Sequence, residues 1–322
     1  MKKPIRIAIT SGDIDGIGTE VIAKALYKLK PQKNIQFILW RSPDCPKSHL
    51  NLIDKYFRRF TFSSWPDAMG YLPKDGKDLI EIVSNQNPAL WVEQSALAAK
   101  FGHIDAIATA PLSKKVILKA GLSDIGHTDI LKRIAEVEDV YMGFIGAHFS
   151  VVLATGHLPI HKVTKAWSVE QLQGAIAAAK ELRELLGSKE QKKAIGILGL
   201  NPHAGENGML GDDAVIYKEA IKKFKNLEFS GPLVPDVAFQ PEQRSKHAIY
   251  VCAYHDQGLI PFKMLHGRES GVHISLGLPF VRTSVDHGTA KDIFGKNKAD
   301  YHSMLEALEW AISLAKERRK LT

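Results

Sequence analysis

Cysteine is scarce in this 322-residue chain: Cys45 and Cys252 are the only two. Two thiols make no disulfide framework at this size, which reads as a protein of the reducing cytoplasm. No run approaches the roughly 18 apolar residues that a spanning helix needs, so no membrane partner is expected. The start, MKKPIRIAIT, begins like a signal peptide, but its apolar part is short and Ser11-Gly12-Asp13 ends it. No segment repeats at a fixed period and none is of low complexity. The dinucleotide fingerprint G-x-G-x-x-G, the Walker A loop and zinc-finger spacing are all missing.

What is present is a globular composition. Hydrophobic residues make up 45% and charged ones 24%, enough for one large or two medium domains with real cores. The net charge is +8. The lysines are spread over helical stretches such as 180–193 and 218–225, which suits solvated faces rather than a nucleic-acid footprint. A positive field also suits small anionic substrates and dinucleotides.

Short β-rich runs alternate with helical patterns. Strands are expected at 5–10, 35–40, 104–110, 194–200 and 247–254. Helices are expected at 19–30 with Thr19 as N-cap, at 91–101, at 168–186 closed by Gly187, at 212–225 and at 302–319. Residues 140–157, VYMGFIGAHFSVVLATGH, read as a hairpin turning at Gly146-Ala147. The pattern predicts an α/β fold: a two-lobed α/β/α sandwich with a mostly parallel sheet, an antiparallel element and a cleft between the lobes.

Three strands end in histidine. VVLATGH ends at His157, AIGILGLNPH at His203 and AIYVCAYH at His255. In open α/β sheets, ligands sit at the carboxyl ends of strands. Three imidazoles there suit one divalent metal ion, zinc foremost, with cobalt or nickel next. A lone strand-end histidine is more often a capping or packing residue, and the spacings match no local zinc motif. Pro202 and Gly205 are expected to aim the backbone at His203. His148, His161, His247 and His302 carry only the surface or hydrogen-bonded reading.

Other segments suit anions. SGDIDGIGTE (11–20) follows a strand and opens a helix, but Asp13 and Asp15 would repel phosphate, so it reads as a tight turn at the cleft. IGHTD (125–129) pairs an imidazole with a hydroxyl, with Ser123 as a possible cap. Arg282 stands in an apolar stretch, as a bidentate clamp for carboxylate or phosphate would. Lys263 could neutralise a second anion.

Taken together, SGDxxGIG (11–18), GHT (126–128), TGHLP (155–159), GLNPHAGExG (199–208), YHDQGLxPxK (254–263) and LGLPFxRTSVDHGTAxDIxGK (276–296) resemble the PdxA family, the 4-hydroxythreonine-4-phosphate dehydrogenases of vitamin B6 biosynthesis. The match runs over most of the chain in order. It implies the two-lobed fold of isocitrate and isopropylmalate dehydrogenases, with the active site in the interlobe cleft. The lobes would be 1–124 with 274–322 on the cofactor side, and 125–273 carrying the metal and the dimer interface. It implies metal ligands His157, His203 and His255, shared between the subunits of a homodimer. The metal would be zinc, or cobalt or magnesium. Substrate would be bound by His127, Thr128, Lys263, Arg282 and, at a departure from the family, His273. Asp286, His287, Gly288, Thr289, Ala290 and Asp292 would bind NAD or NADP through an adenosine loop, which accounts for the missing glycine fingerprint. Lys263, Asp256 and His127 are candidates for the general base.

The implied reaction is oxidation of 4-phosphooxy-L-threonine, with decarboxylation, to 3-amino-2-oxopropyl phosphate in pyridoxal 5′-phosphate biosynthesis. Departures from the family pattern point to an alternative substrate, 4-phospho-D-threonate or 4-phospho-D-erythronate. The usual Gly-Asp-Pro-Ala-Gly is Gly-Asp-Ile14-Asp15-Gly here. The usual Pro-Ala-Asp-Thr is Val234-Pro235-Asp236-Val237, and an asparagine is replaced by His273. Two readings of other classes are a three-histidine hydrolase or lyase without NAD, and a nucleic-acid-binding protein.

Overall fold

The computed structural model describes residues 3–267 and 271–321. The chain forms two compact units, one of residues up to Glu138 with those from Leu278 on, the other Asp139–Gly277. These divisions fall after the expected 124/125 and 273/274, so residues 125–138 stand with the first unit.

In chain order, the first unit holds β1 Ile5–Thr10, β2 Ile35–Arg41, β3 Arg58–Phe62, β4 Asp78–Val83 and β5 Ala106–Thr109. The second holds β6 Tyr141–Ile145, β7 Ser150–Leu153, β8 Ala194–Leu198, β9 Phe229–Leu233, β10 His247–Cys252 and β11 Val272–Leu276. The chain then returns to the first unit as β12 Val281–Ser284.

The first unit's strands run β3-β4-β2-β1-β5-β12, and every pairing is parallel. A strand buried on both faces reads as a near-continuous apolar run, as in IRIAIT and IQFILWR. The helix Pro88–Lys100 starts on Asn87, whose side chain accepts from Ala89 N at 2.9 Å, with proline in the first turn. Trp91 from this helix stacks on Trp40 of β2, centroids 6.3 Å apart, and both are fully buried.

The second unit's order is β11-β6-β7-β10-β8-β9. β11–β6 and β6–β7 are antiparallel, and β7–β10–β8–β9 is parallel. The sheet is therefore mixed, with the expected hairpin 140–157 as its antiparallel part. The helix Val169–Leu185 is capped by Ser168, which accepts from Gln171 N at 3.2 Å, and is followed by Gly187 at φ +91°. Phe144, Phe149, Tyr250, Cys252 and Phe262 form this unit's core.

Two expected caps are corrected. The helix Gly18–Leu29 begins one residue before Thr19, whose hydroxyl bonds His49 Nδ1 at 3.1 Å instead of capping. The helix His127–Ala135 starts on Gly126 and not Ser123, and Asp129 Oδ2 accepts from Ile125 N and Gly126 N at 2.9 and 3.2 Å.

Candidate active site

In the first unit, β2 and β5 flank β1 on opposite sides, so the chain reverses its winding direction there. Such a topological switch point opens a crevice between the loops that leave the two strands. Both loops carry motif residues. Gly12 has φ +69°, and a Cβ there would lie 2.0 Å from Pro111 O, so only glycine lets the two loops meet. Asp13 is 2% exposed. Its carboxylate accepts from Ser113 N at 2.8 Å and Ser113 Oγ at 2.6 Å, and pairs with Lys291 Nζ at 2.8 Å. The acidic turn is thus a brace whose charge is answered from within. Asp15 adds a second carboxylate at 2.6 Å from the same ammonium.

A cavity of about 340 Å³ opens beside this brace, lined among others by Thr109, Ser113, His127, Arg282, His287 and Thr289. Arg282 is 3% exposed and donates from Nη2 to Thr109 Oγ1 at 2.8 Å. Burial pulls its guanidinium pKa down to about 9. His127 is partly exposed as a residue, but its Nε2 is shut off from solvent with no protein partner. Burial first, and the charge of Arg282 second, push its pKa down to about 3. The cavity therefore pairs a cation with a neutral imidazole. Thr128 follows at the second position of a helix N-terminus, where free N–H groups also favour anions.

The expected cofactor segment, Asp286 to Asp292, is tied to the β1 turn. Ile17 N donates to Thr289 O at 3.1 Å, and Lys291 reaches both Asp13 and Asp15. Ala290 turns left-handed at φ 42°, and Asp286 Oδ1 accepts from Ser303 Oγ at 3.0 Å. His287 and Gly288 line the 340 Å³ cavity, with His287 Nε2 buried and unpartnered. Asp292 is exposed. A second cavity, about 430 Å³, is bounded by Asp15, Lys291, Lys115 and Lys119. Lys291, Ser113 and Thr109 were missed in the sequence. Each is the partner of a residue that was singled out, and partnership across a fold leaves no local pattern.

In the second unit, β7, β10 and β8 are adjacent and parallel. His157, His255 and His203 follow their carboxyl ends, so topology brings the three to one edge. The rings of His157 and His255 lie 5.1 Å apart, centroid to centroid. His255 Nδ1 bonds Asp256 Oδ1 at 2.7 Å, leaving Nε2 outward, the arrangement typical of metal-binding histidine. His203 is exposed and opens a left-handed stretch from His203 to Asn207, with φ between 44° and 82°. Left-handed conformation costs roughly 1–2 kcal/mol for each non-glycine residue. This stretch, more than Pro202, directs His203. Among the described residues no three His, Cys, Asp or Glu side chains converge as a metal group within one chain. Two imidazoles side by side and a third presented at the next strand fit a borderline-soft divalent ion with an open side.

Lys263 is exposed on the helix His255–His266. His273 sits on β11, 9% exposed, with its ring 5.1 Å from Phe144. His247 is buried against Tyr250, and His148 donates its backbone N–H to His266 Nε2 at 3.0 Å. His161 and His302 are exposed.

The family model of the pyridoxal phosphate biosynthetic protein PdxA matches residues 83–311. The chain belongs to the PdxA family. It is 35% identical to 4-hydroxythreonine-4-phosphate dehydrogenase of Sulfurihydrogenibium sp., over 98% of this chain and all of that one. It is 36% identical to a protein of Oceanobacillus iheyensis named "Putative D-threonate 4-phosphate dehydrogenase", covering 98% of each. The crystal structure of a 4-hydroxythreonine-4-phosphate dehydrogenase from Burkholderia phymatum superposes with a TM-score of 0.78 at 29% identity, over 97% of this chain and 98% of that one. The PdxA fold is the α/β fold with a large mixed sheet read from the sequence, shared with β-decarboxylating dehydrogenases. A PdxA-family dehydrogenase is an oxidoreductase and implies a nicotinamide cofactor, which sets aside the hydrolase and nucleic-acid readings. No helix among the described residues is long and apolar enough to cross a membrane.

Proposed function

We propose that the chain oxidises 4-phosphooxy-L-threonine with NAD or NADP and decarboxylates the product to 3-amino-2-oxopropyl phosphate. The observation that carries this is the 340 Å³ cavity, where buried Arg282 and neutral His127 stand beside the 287–289 segment. An anionic hydroxy acid is what a dry guanidinium attracts, and a dinucleotide is what the neighbouring segment resembles a binder of.

A divalent ion, zinc by the donor set, would be held by His157, His203 and His255, and supplies a Lewis acid for the substrate hydroxyl, as the nicotinamide supplies a hydride acceptor. Arg282 grips one anionic end of the substrate. His127 orients it through Nε2, with Thr128 adding a hydroxyl. Among the three candidate bases, His127 with a pKa about 3 takes a proton poorly at neutral pH. Asp256 is engaged with His255. Lys263, exposed on the helix His255–His266, remains the third candidate. Lys115 and Lys119 place positive charge over the 430 Å³ cavity, next to the segment 286–292, for the cofactor's phosphates.

The working form is a homodimer of the cytoplasm with the metal site at the interface. Each strand-end histidine is followed by exposed large apolar side chains: Leu158 and Ile160, Met209 and Leu210, Ile260 and Met264. Met209 and Met264 are each 81% exposed, as surfaces covered in an assembly are in the isolated chain. A second reading, oxidation of 4-phospho-D-threonate or 4-phospho-D-erythronate, is favoured by the name of the Oceanobacillus relative. The deciding experiment is NADH formation by zinc-loaded protein on 4-phosphooxy-L-threonine beside 4-phospho-D-threonate. Preference for the first supports the proposal, and preference for the second moves it to the other substrate. NADH from neither, with metal bound, would refute both.

A further inference from the structure

We propose that Asp213 is a positioning residue that sets the direction of His203, an inference that rests on the reading of His203 as a metal ligand. Asp213 opens the helix Asp213–Ile221 and is 2% exposed. No Lys, Arg or His is recorded pairing with it among the described residues. Its oxygens are filled by neutral donors from the far end of the loop. Oδ1 accepts from Leu200 N at 2.5 Å and, more weakly, from Asn201 N at 3.4 Å, and Oδ2 accepts from Asn201 Nδ2 at 2.8 Å. A buried carboxylate is costly unless hydrogen-bonded. Here those bonds, helped by the positive end of its own helix, clamp residues 200 and 201, immediately before the left-handed stretch.

That stretch packs onto the same carboxylate. A Cβ on Gly205 would fall 2.8 Å from Asp213 Oδ2 and 2.8 Å from Gly211 O, and one on Gly199 would fall 2.7 Å from Ala204 Cα. The Gly205 carbonyl stays in the turn, accepting from Leu210 N at 3.0 Å. Residues held in sparsely populated conformations persist only where their surroundings over-determine them. Asp213 bonds the residues that enter this loop and packs against Gly205 inside it. The outcome of the arrangement is one exposed imidazole at the end of β8, next to the strand that carries His255.

The test measures zinc affinity by chelator competition on the full-length protein, beside the unfolding midpoint of the metal-free form. Asp213→Ala is expected to weaken zinc binding about 10–100-fold, the usual effect of removing a group that orients a ligand. Gly205→Ala, which keeps the carboxylate but crowds it, is expected to act in the same direction. Asp213→Asn keeps an acceptor for Leu200 N, and Asn201 can turn its amide over to meet the new donor, so affinity is expected within a few-fold of the parent. If His203→Ala loses zinc while Asp213→Ala and Gly205→Ala hold it as the parent does, the positioning role is overturned and the metal reading stands. If His203→Ala binds zinc undiminished, the metal reading falls and this proposal with it. Should Asp213→Ala fail to fold, Gly205→Ala decides on the same terms.

Discussion

Acid should weaken the first unit through His127, by an amount that follows from its surroundings. In the unfolded chain this imidazole takes a proton near pH 6.5. In the folded protein, burial and Arg282 hold its pKa near 3. Between those values the unfolded state binds a proton that the folded state refuses, so stability rises with pH across the window. The contribution is complete above pH 6.5 and drains away as the pH falls toward 3. At pH 5 the linkage amounts to about 2 kcal/mol, an upper limit because the residue is partly exposed. For a domain of 150–250 residues that is roughly 4–8 °C of Tm. Burial also lowers the pKa of His49, His247 and His266, which gives a shared background slope. Urea unfolding of the parent and of His127→Gln at pH 7.5 and pH 5 separates the two. The parent should lose about 2 kcal/mol more than the variant over that interval. A phosphorylated ligand should shrink the difference, because an anion beside the imidazole favours its charged form. Parallel losses in parent and variant would refute the burial argument for His127.

Arg282→Met should raise KM for the phosphorylated acid about 10–100-fold, the loss of one charged hydrogen-bonded contact worth about 1.5–3 kcal/mol; an unchanged KM in steady-state assays removes Arg282 from the substrate site. Gly12→Ala should cost about 2–5 kcal/mol by denaturant titration, from left-handed backbone and overpacking together, because its Cβ would meet Pro111 O at 2.0 Å; a loss under about 1 kcal/mol would show that the two loops are not rigidly apposed. Mixing inactive His203→Ala with the weakened Arg282→Met protein, at substrate well below the variant's KM, should give more NADH than the two proteins assayed apart if subunits share sites, and no gain after verified subunit exchange argues for sites within single chains.

The sequence made the parallel strands legible where apolar content and burial coincide, as in β1, β2, β8 and β10, and it showed the hairpin because two apolar runs meet at Gly146-Ala147. It did not reveal β11 and β12. VHISL and VRTS are buried from end to end, but their polar residues interrupt the apolar run and hide the strand. β3 was also missed, since RRFTF is an outer strand with charged side chains. The three strand-end histidines could be read because strand ends are local. Their arrangement could not, since adjacency of β7, β10 and β8 is a fact of topology. The left-handed turn at His203 was invisible because its cause, Asp213, lies ten residues on.

The departures from the family pattern bear differently on substrate choice once their surroundings are known. Asp15 points at Lys291, sharing that ammonium with Asp13, and the bond to Lys291, ahead of the opposing effect of burial, holds its carboxyl below the usual range. The added carboxylate makes the cluster of two acids and one base net negative beside the segment that resembles an adenosine loop. Its effect is therefore expected on the cofactor side, where it shares the 430 Å³ cavity with Lys291, Lys115 and Lys119. Val237 is 42% exposed on a short helix, away from any cavity wall described above. His273 is different. It is nearly closed off, on a strand whose neighbour contributes Phe144, and an imidazole there occupies more space and offers a different donor pattern than an amide. Of the changed residues, it is the one whose replacement by asparagine should shift preference between the two phosphorylated acids. Asp15→Ala should instead change KM for the cofactor and leave that preference alone. A switch in acid preference from Asp15→Ala, with none from His273→Asn, would reverse the assignment.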